Sequence, residues 1–138
     1  MARQAVAKRI PTEAIHLLEG RNFATVATLM EDGSPQASTV WIDVEDGEPV
    51  INTAEGRLKP RNIRENDRVA IVVHDEDDPY EQLQIRGRAE LDHEGAEEHI
   101  DALAKKYVGK DRYPWRQPGE ERVKIRIVPE RVSYTPGH

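Results

Sequence analysis

The sequence predicts a mainly β fold with short helices, an α+β arrangement in which six antiparallel strands form a closed or partly closed barrel. Three observations predict it. Runs rich in β-branched residues recur along the chain. Most links between them are of hairpin length and carry turn residues, as at Asp32-Gly33-Ser34-Pro35 and Asp46-Gly47. Helical periodicity is confined to three short stretches. No repeat, low-complexity tract or linker divides the 138 residues, so 1–138 reads as one domain, with 1–9 a flexible basic start.

The elements follow in order. After Ile10, Thr12 is placed to cap a short helix and Gly20 to end it, with Ala14, Ile15 and Leu18 on one face. Phe23 to Met30 suits a strand, and Gln36 to Val44 a second. Asp46-Gly47 turns the chain into a third, Pro49 to Thr53. Proline is tolerated in a first helical turn, so Pro60 to Glu65 reads as a helix. Arg68 to His74 is a buried strand, and Glu81 to Leu91 alternates cleanly, with Leu83, Ile85, Gly87, Ala89 and Leu91 on one side. Asp92 is placed to cap a helix carrying Ala96, Ile100, Leu103 and Tyr107, which Gly109 ends. The last strand, Val123 to Tyr134, contains Pro129 and is therefore bent or at an edge.

Composition narrows the function. Apolar residues are 37% and charged residues 33%, against about 45–50% and 25% in an average domain. So lean a core favours a partner subunit over part of the apolar surface. The net charge of −6 argues against a nucleic-acid partner, because neutralising phosphate dominates that affinity. With no cysteine, disulfides, thiolate catalysis and Cys-ligated metal are excluded, which fits a cytoplasmic protein. The basic start lacks the apolar core of a signal peptide, and no apolar run is long enough for a membrane span.

The stretch richest in chemistry runs from Asn52 to Asn62. A strand ends, a Gly-containing loop carries Arg57 and Lys59, and a helix begins. Helix starts expose unpaired N–H groups; Arg57 can fork onto two phosphate oxygens, Lys59 adds a point charge, and Thr53 can donate a hydroxyl. The same cluster would equally serve as a solvated helix start with ion pairs to Glu55 or Glu65. Trp41, at the end of Ser38-Thr39-Val40, suits either a planar ligand or the core. Tyr107, Tyr113, Trp115 and Arg116 either line a mouth or pin their loop to the barrel. The five histidines form no metal-ligand pattern, so no metal is expected, and no P-loop, Rossmann or Gly-x-Ser-x-Gly motif occurs.

Three passages together carry a resemblance. One runs from Ala24-Thr25-Val26-Ala27-Thr28 through Asp32-Gly33-Ser34-Pro35 to Val40-Trp41. Another is Thr53-x-x-x-Arg57-x-Lys59-x-x-Asn62 with Asp67-Arg68-Val69-Ala70. The last joins Asp78-Pro79-Tyr80, Gln84-Ile85-Arg86-Gly87-Arg88-Ala89-Glu90 and Val128-Pro129-Glu130-Arg131-Val132. From about Ile10 to Pro136 the chain resembles the pyridoxamine 5′-phosphate oxidase-like, FMN-binding-protein-like split β-barrel proteins, and looks most like their branch that uses the deazaflavin coenzyme F420.

The resemblance implies a homodimer with two cofactor sites at the subunit interface. It implies that Arg57 and Lys59 hold the cofactor phosphate, with Thr53 and Asn62 supporting, and that the ring system lies along Thr39, Val40 and Trp41. Gln82 is the nearest match to a glutamine that reaches the flavin in FMN-binding relatives. Those oxidases have adjacent Arg-Lys at the phosphate, whereas this chain has Arg57-Leu58-Lys59, and their Arg/His substrate motif is not evident after Tyr113. Both departures argue against vitamin B6 oxidation. The activity implied is hydride transfer between coenzyme F420 and a small conjugated, electron-poor acceptor, with no side chain named as catalytic. The alternatives are an FMN-dependent reductase or oxidase and a non-catalytic flavin or deazaflavin binder.

Overall fold

The computed structural model describes residues 8–138, so 1–7 of the start expected to be flexible lie outside the described residues. A 3₁₀ turn, Thr12–Ala14, leads into α1, Ile15–Glu19. Then come β1 (Ala24–Leu29), β2 (Pro35–Val40), β3 (Asp43–Glu45), β4 (Glu48–Ala54) and α2 (Leu58–Glu65). The chain finishes with β5 (Arg68–His74), β6 (Gln82–Asp92), α3 (Ala96–Val108) and β7 (Arg122–Thr135). All seven strands join one antiparallel sheet in the order β2-β1-β5-β6-β7-β4-β3.

The prediction of six strands is corrected to seven, because the second breaks at Trp41-Ile42. The Ile42 N–H donates to the Tyr107 hydroxyl at 3.1 Å, and the Ile42 carbonyl accepts from Lys106 Nζ at 2.7 Å. Side chains of α3 thus satisfy the backbone groups that a neighbouring strand would have taken. The sheet is not closed by hydrogen bonds, since β2 and β3 are its two edges. They are also consecutive in the chain, so two residues join opposite edges and the sheet must curl until they meet.

Two caps also differ from expectation. Thr12 makes no capping bond to the first turn. Gly95, in the left-handed region, precedes α3, while Asp92 ends β6 and accepts the Glu94 N–H at 3.0 Å. On α1 it is Leu17 and Leu18, rather than Ile15, that enter the core. The hairpin between β3 and β4 turns as expected, with φ of 53° at Asp46 and 79° at Gly47, the type I′ geometry.

Pro129 stands where β7 can tolerate it. Strand β4 pairs with Arg122–Arg126 of β7 and leaves the second half of β7 bonded to β6 alone. The β6–β7 register slips between Arg86 and Gly87, whose partners are Arg131 and Pro129, so Glu130 is the extra residue of a bulge.

The main core fills the curled sheet with Val26, Ile51, Ile71, Leu83, Ile85 and Ile125 among others, plugged by α1. A second cluster, Ile100, Leu103 and Tyr107, lies under α3 and takes in Trp41 and Tyr113. No described helix is long and apolar enough to cross a membrane.

Candidate functional site

The end of β2, the β4–α2 turn and the inner side of α3 enclose a cleft of about 300 Å³. That is the lower end of the usual range for ligand sites. Thr39, Val40, Trp41, Thr53, Arg57 and Lys59 all line it. Residues from 39 to 59 meet there because β2 and β4 lie on opposite limbs of the curled sheet.

Local structure sets the cationic end. Strand β4 stops at Ala54, and the chain turns through Gly56 at φ +87°, a conformation that favours glycine. Arg57 then precedes α2 in an extended conformation, and Lys59 lies in the first helical turn. Arg57 Nη2 sits 3.3 Å from Glu120 Oε1, with half of the side chain in solvent. Lys59 Nζ donates to Ser38 Oγ at 3.2 Å. Burial, and then the nearby Arg57 charge, holds the Lys59 pKa below its ordinary value.

Thr53 is 1% exposed, and its hydroxyl has no partner among the described residues. A buried hydroxyl left so is costly unless a ligand completes it. The cleft therefore offers two flexible cations and one unpartnered hydroxyl, a donor set suited to a phosphate.

The opposite wall is aromatic. Trp41 stacks on Tyr107 with centroids 5.3 Å apart and planes 3° from parallel, and meets Tyr113 edge-on at 6.2 Å. It is both packed and part of the cleft lining. The Tyr113–Arg116 loop is likewise pinned and lining. The Tyr113 N–H donates to Asp101 Oδ1 at 2.8 Å, and Arg116 Nε donates to Glu97 Oε1 at 3.0 Å, yet Tyr113 and Trp115 face the cleft. Burial pushes the Tyr107 hydroxyl up to about 12, so it stays protonated.

Two expected residues stand elsewhere. Asn62 is buried and donates through Nδ2 to Thr28 Oγ1 at 3.0 Å, fastening α2 to β1 behind Arg57 and Lys59. Gln82 opens β6 opposite His74 and Thr135, accepts from Gln84 Nε2 at 2.9 Å, and does not line the cleft.

Sequence reasoning missed Arg122, Phe23, Ile100 and Leu103, all in the lining, and gave no role to Asn52, which opens the stretch it singled out and also lines the cleft. Arg122 is the consequential one. It is 3% exposed, donates from Nε to Asn52 Oδ1 at 2.9 Å, and lies 5.0 Å above the Tyr113 ring. Its signal was the alternation Arg122-x-Lys124-x-Arg126 against Val123, Ile125 and Ile127. Alone, that pattern describes a strand with one solvated face; here α3 covers the cationic face.

No His, Asp or Glu stands among the lining residues. The cleft can hold an anion and orient a planar group, and its titratable lining is limited to Arg57, Arg122, Lys59 and Tyr113.

Comparison with known proteins agrees with this architecture. Residues 10–136 match the family described as pyridoxamine 5′-phosphate oxidase. A solved F420 reductase is similar at 29% identity and a TM-score of 0.76, over 90% of this chain and 98% of that one. A conserved hypothetical protein of Mycobacterium tuberculosis is similar at 27% identity and a TM-score of 0.70, over 97% and 90% of the two chains. General Stress Protein 26 of Bacillus anthracis, 17% identical with a TM-score of 0.67 over 91% and 94%, shares the fold.

Proposed function

We propose that this chain, which belongs to the pyridoxamine 5′-phosphate oxidase family, is a cytoplasmic oxidoreductase that transfers a hydride between coenzyme F420 and a small conjugated, electron-poor acceptor. The observation that carries the proposal is the pairing of Arg57 and Lys59 with the Trp41 wall across one cleft that has no His, Asp or Glu in its lining. Arg57 and Lys59 hold the phosphate, and Thr53 donates its unpartnered hydroxyl hydrogen to it. Thr39, Val40 and Trp41 lie along the ring system. When bound, the coenzyme supplies the hydride, and the protein's part is to bind, orient and exclude water. The likeness to an F420 reductase over nearly the full length of both chains supports the deazaflavin choice.

The working unit in this proposal is a homodimer with the cofactor at the subunit interface. A cleft of about 300 Å³ open at its side suits completion by a second subunit. A half-buried sheet face, with Ala27, Ala70 and Val72, remains for that subunit to cover.

A second reading, an FMN-dependent reductase or oxidase, uses the same seat and is favoured by the family to which the chain belongs. Equilibrium binding of coenzyme F420 and FMN, side by side, separates the two. Deazaflavin binding at micromolar or tighter concentration, with FMN much weaker, is expected. Tight FMN with no deazaflavin binding would move the protein to the flavin branch. Saturable binding without turnover on any acceptor would make it a carrier.

A further inference from the structure

The cationic end of the cleft contains more than the two residues that its sequence advertises. Arg122 brings a third cation to the lining, and no carboxylate lines the cleft itself. Directly behind stands Glu120. Its side chain is 6% exposed, and its Oε1 lies 3.3 Å from Arg57 Nη2 and 3.1 Å from Arg122 Nη1. Its second oxygen, Oε2, is buried with no partner among the described residues. One buried carboxylate thus bridges two of the three cations, while among the described residues Lys59 is bound only through Ser38 Oγ.

We propose that Glu120 tunes the charge the seat will accept, shifting its preference away from a doubly charged phosphomonoester and toward a singly charged phosphodiester. The proposal rests on the cleft being a phosphate seat. The physics is that of a fixed negative charge behind a cationic surface. Two guanidiniums that already share one carboxylate have less attraction left for an incoming anion. Each negative charge on that anion also meets the repulsion of Glu120 through a poorly screened interior. A monoester bears that repulsion twice and a diester once. Coenzyme F420 carries its phosphate as a diester and FMN as a monoester, so Glu120 would favour the deazaflavin from outside the lining.

The test uses the full-length protein and two small probes at pH 8, methyl phosphate as the dianion and dimethyl phosphate as the monoanion. The chain has two tryptophans, and both line the cleft, so intrinsic fluorescence reads the site directly. Glu120→Gln should raise affinity for methyl phosphate relative to dimethyl phosphate on the order of tenfold, the size expected of one unit charge a few ångströms away in a partly screened site. Glu120→Asp, which retains the charge, should keep the wild-type ratio. An unchanged ratio in Glu120→Gln, or equal weakening of both probes in both variants, would leave Glu120 a mere strut for the arginines and overturn the proposal. If neither probe binds any of the three proteins, the phosphate seat falls, and the charge proposal with it. A shifted ratio in a protein that binds neither F420 nor FMN would uphold the role of Glu120 and overturn the proposed function alone.

Discussion

Gly87 faces Pro129 at the point where β6 and β7 lose register, and a Cβ placed on it would stand 2.1 Å from the Val128 carbonyl oxygen. The obstacle is backbone, so it cannot rotate away. Gly87→Ala should cost about 1–3 kcal/mol through overpacking, seen as a lower urea midpoint at unchanged slope. At the cleft, Arg57→Ala and Lys59→Ala should each weaken cofactor binding by about 1–3 kcal/mol, the loss of a charge-assisted hydrogen bond. Calorimetric titration checks this, and unchanged affinity in both single variants and in the double variant would remove the seat assignment. Spacing after a strand and before a helix leaves these two cations open between an anion seat and a solvated helix start; the resemblance implies the seat, and both residues line the cleft. Arg122 was not legible, because its burial depends on α3, whose packing against β7 no local pattern in β7 reveals. Trp41 was legible as a residue but not as a choice between roles, and the structure gives it both.

At the scale of elements, one carboxylate ties α2 to the entrance of α3. Arg64 donates from both terminal nitrogens to Glu55 at 2.7 Å, and His93 meets the same carboxylate. The Arg64 fork is the main reason that the Glu55 pKa is pushed down to about 2 from 4.5. A carboxyl whose folded pKa is depressed stabilises the fold above its unfolded pKa, and that contribution is lost as pH falls toward the folded one. The sign therefore predicts falling stability from about pH 4.5 to 2. Urea unfolding at pH 6, 4 and 3 should show a shallower fall in Glu55→Gln than in wild type. Equal slopes would show that this fork adds nothing pH-dependent. Elements with strong local rules were legible: the type I′ turn at Asp46-Gly47, the alternation of β6 and the Gly109 end of α3. The break between β2 and β3 was not. Residues 36–44 look continuous, and what interrupts them is a hydroxyl on Tyr107, 65 positions away from Ile42. The six-strand count failed for that tertiary reason, although the antiparallel architecture survived.

For the whole molecule, the proposed homodimer has a candidate interface in the sheet face across β1, β5, β6 and β7. Two adjoining hollows of about 460 Å³ each lie there and share Ala27, Ala70, Arg86 and Arg131. Those four residues form one cross-strand row, half-buried alanines on β1 and β5 beside exposed arginines on β6 and β7, and arginine is enriched at interfaces. If a second copy sits on this face, a charge at its centre should separate the subunits without touching either core. Ala70 lies in both hollows and outside the cleft lining. Ala70→Glu should therefore yield a folded monomer by sedimentation equilibrium, with near wild-type circular dichroism, and the wild type should sediment as a dimer. If the cofactor site spans the interface, the same variant should lose cofactor affinity about as severely as Arg57→Ala, although residue 70 is not part of the cleft. A monomeric Ala70→Glu that binds cofactor normally would mean that one chain completes the site by itself. A wild type that is already monomeric would remove the interface from the proposal, leaving Arg57, Lys59 and the aromatic wall to hold the cofactor alone.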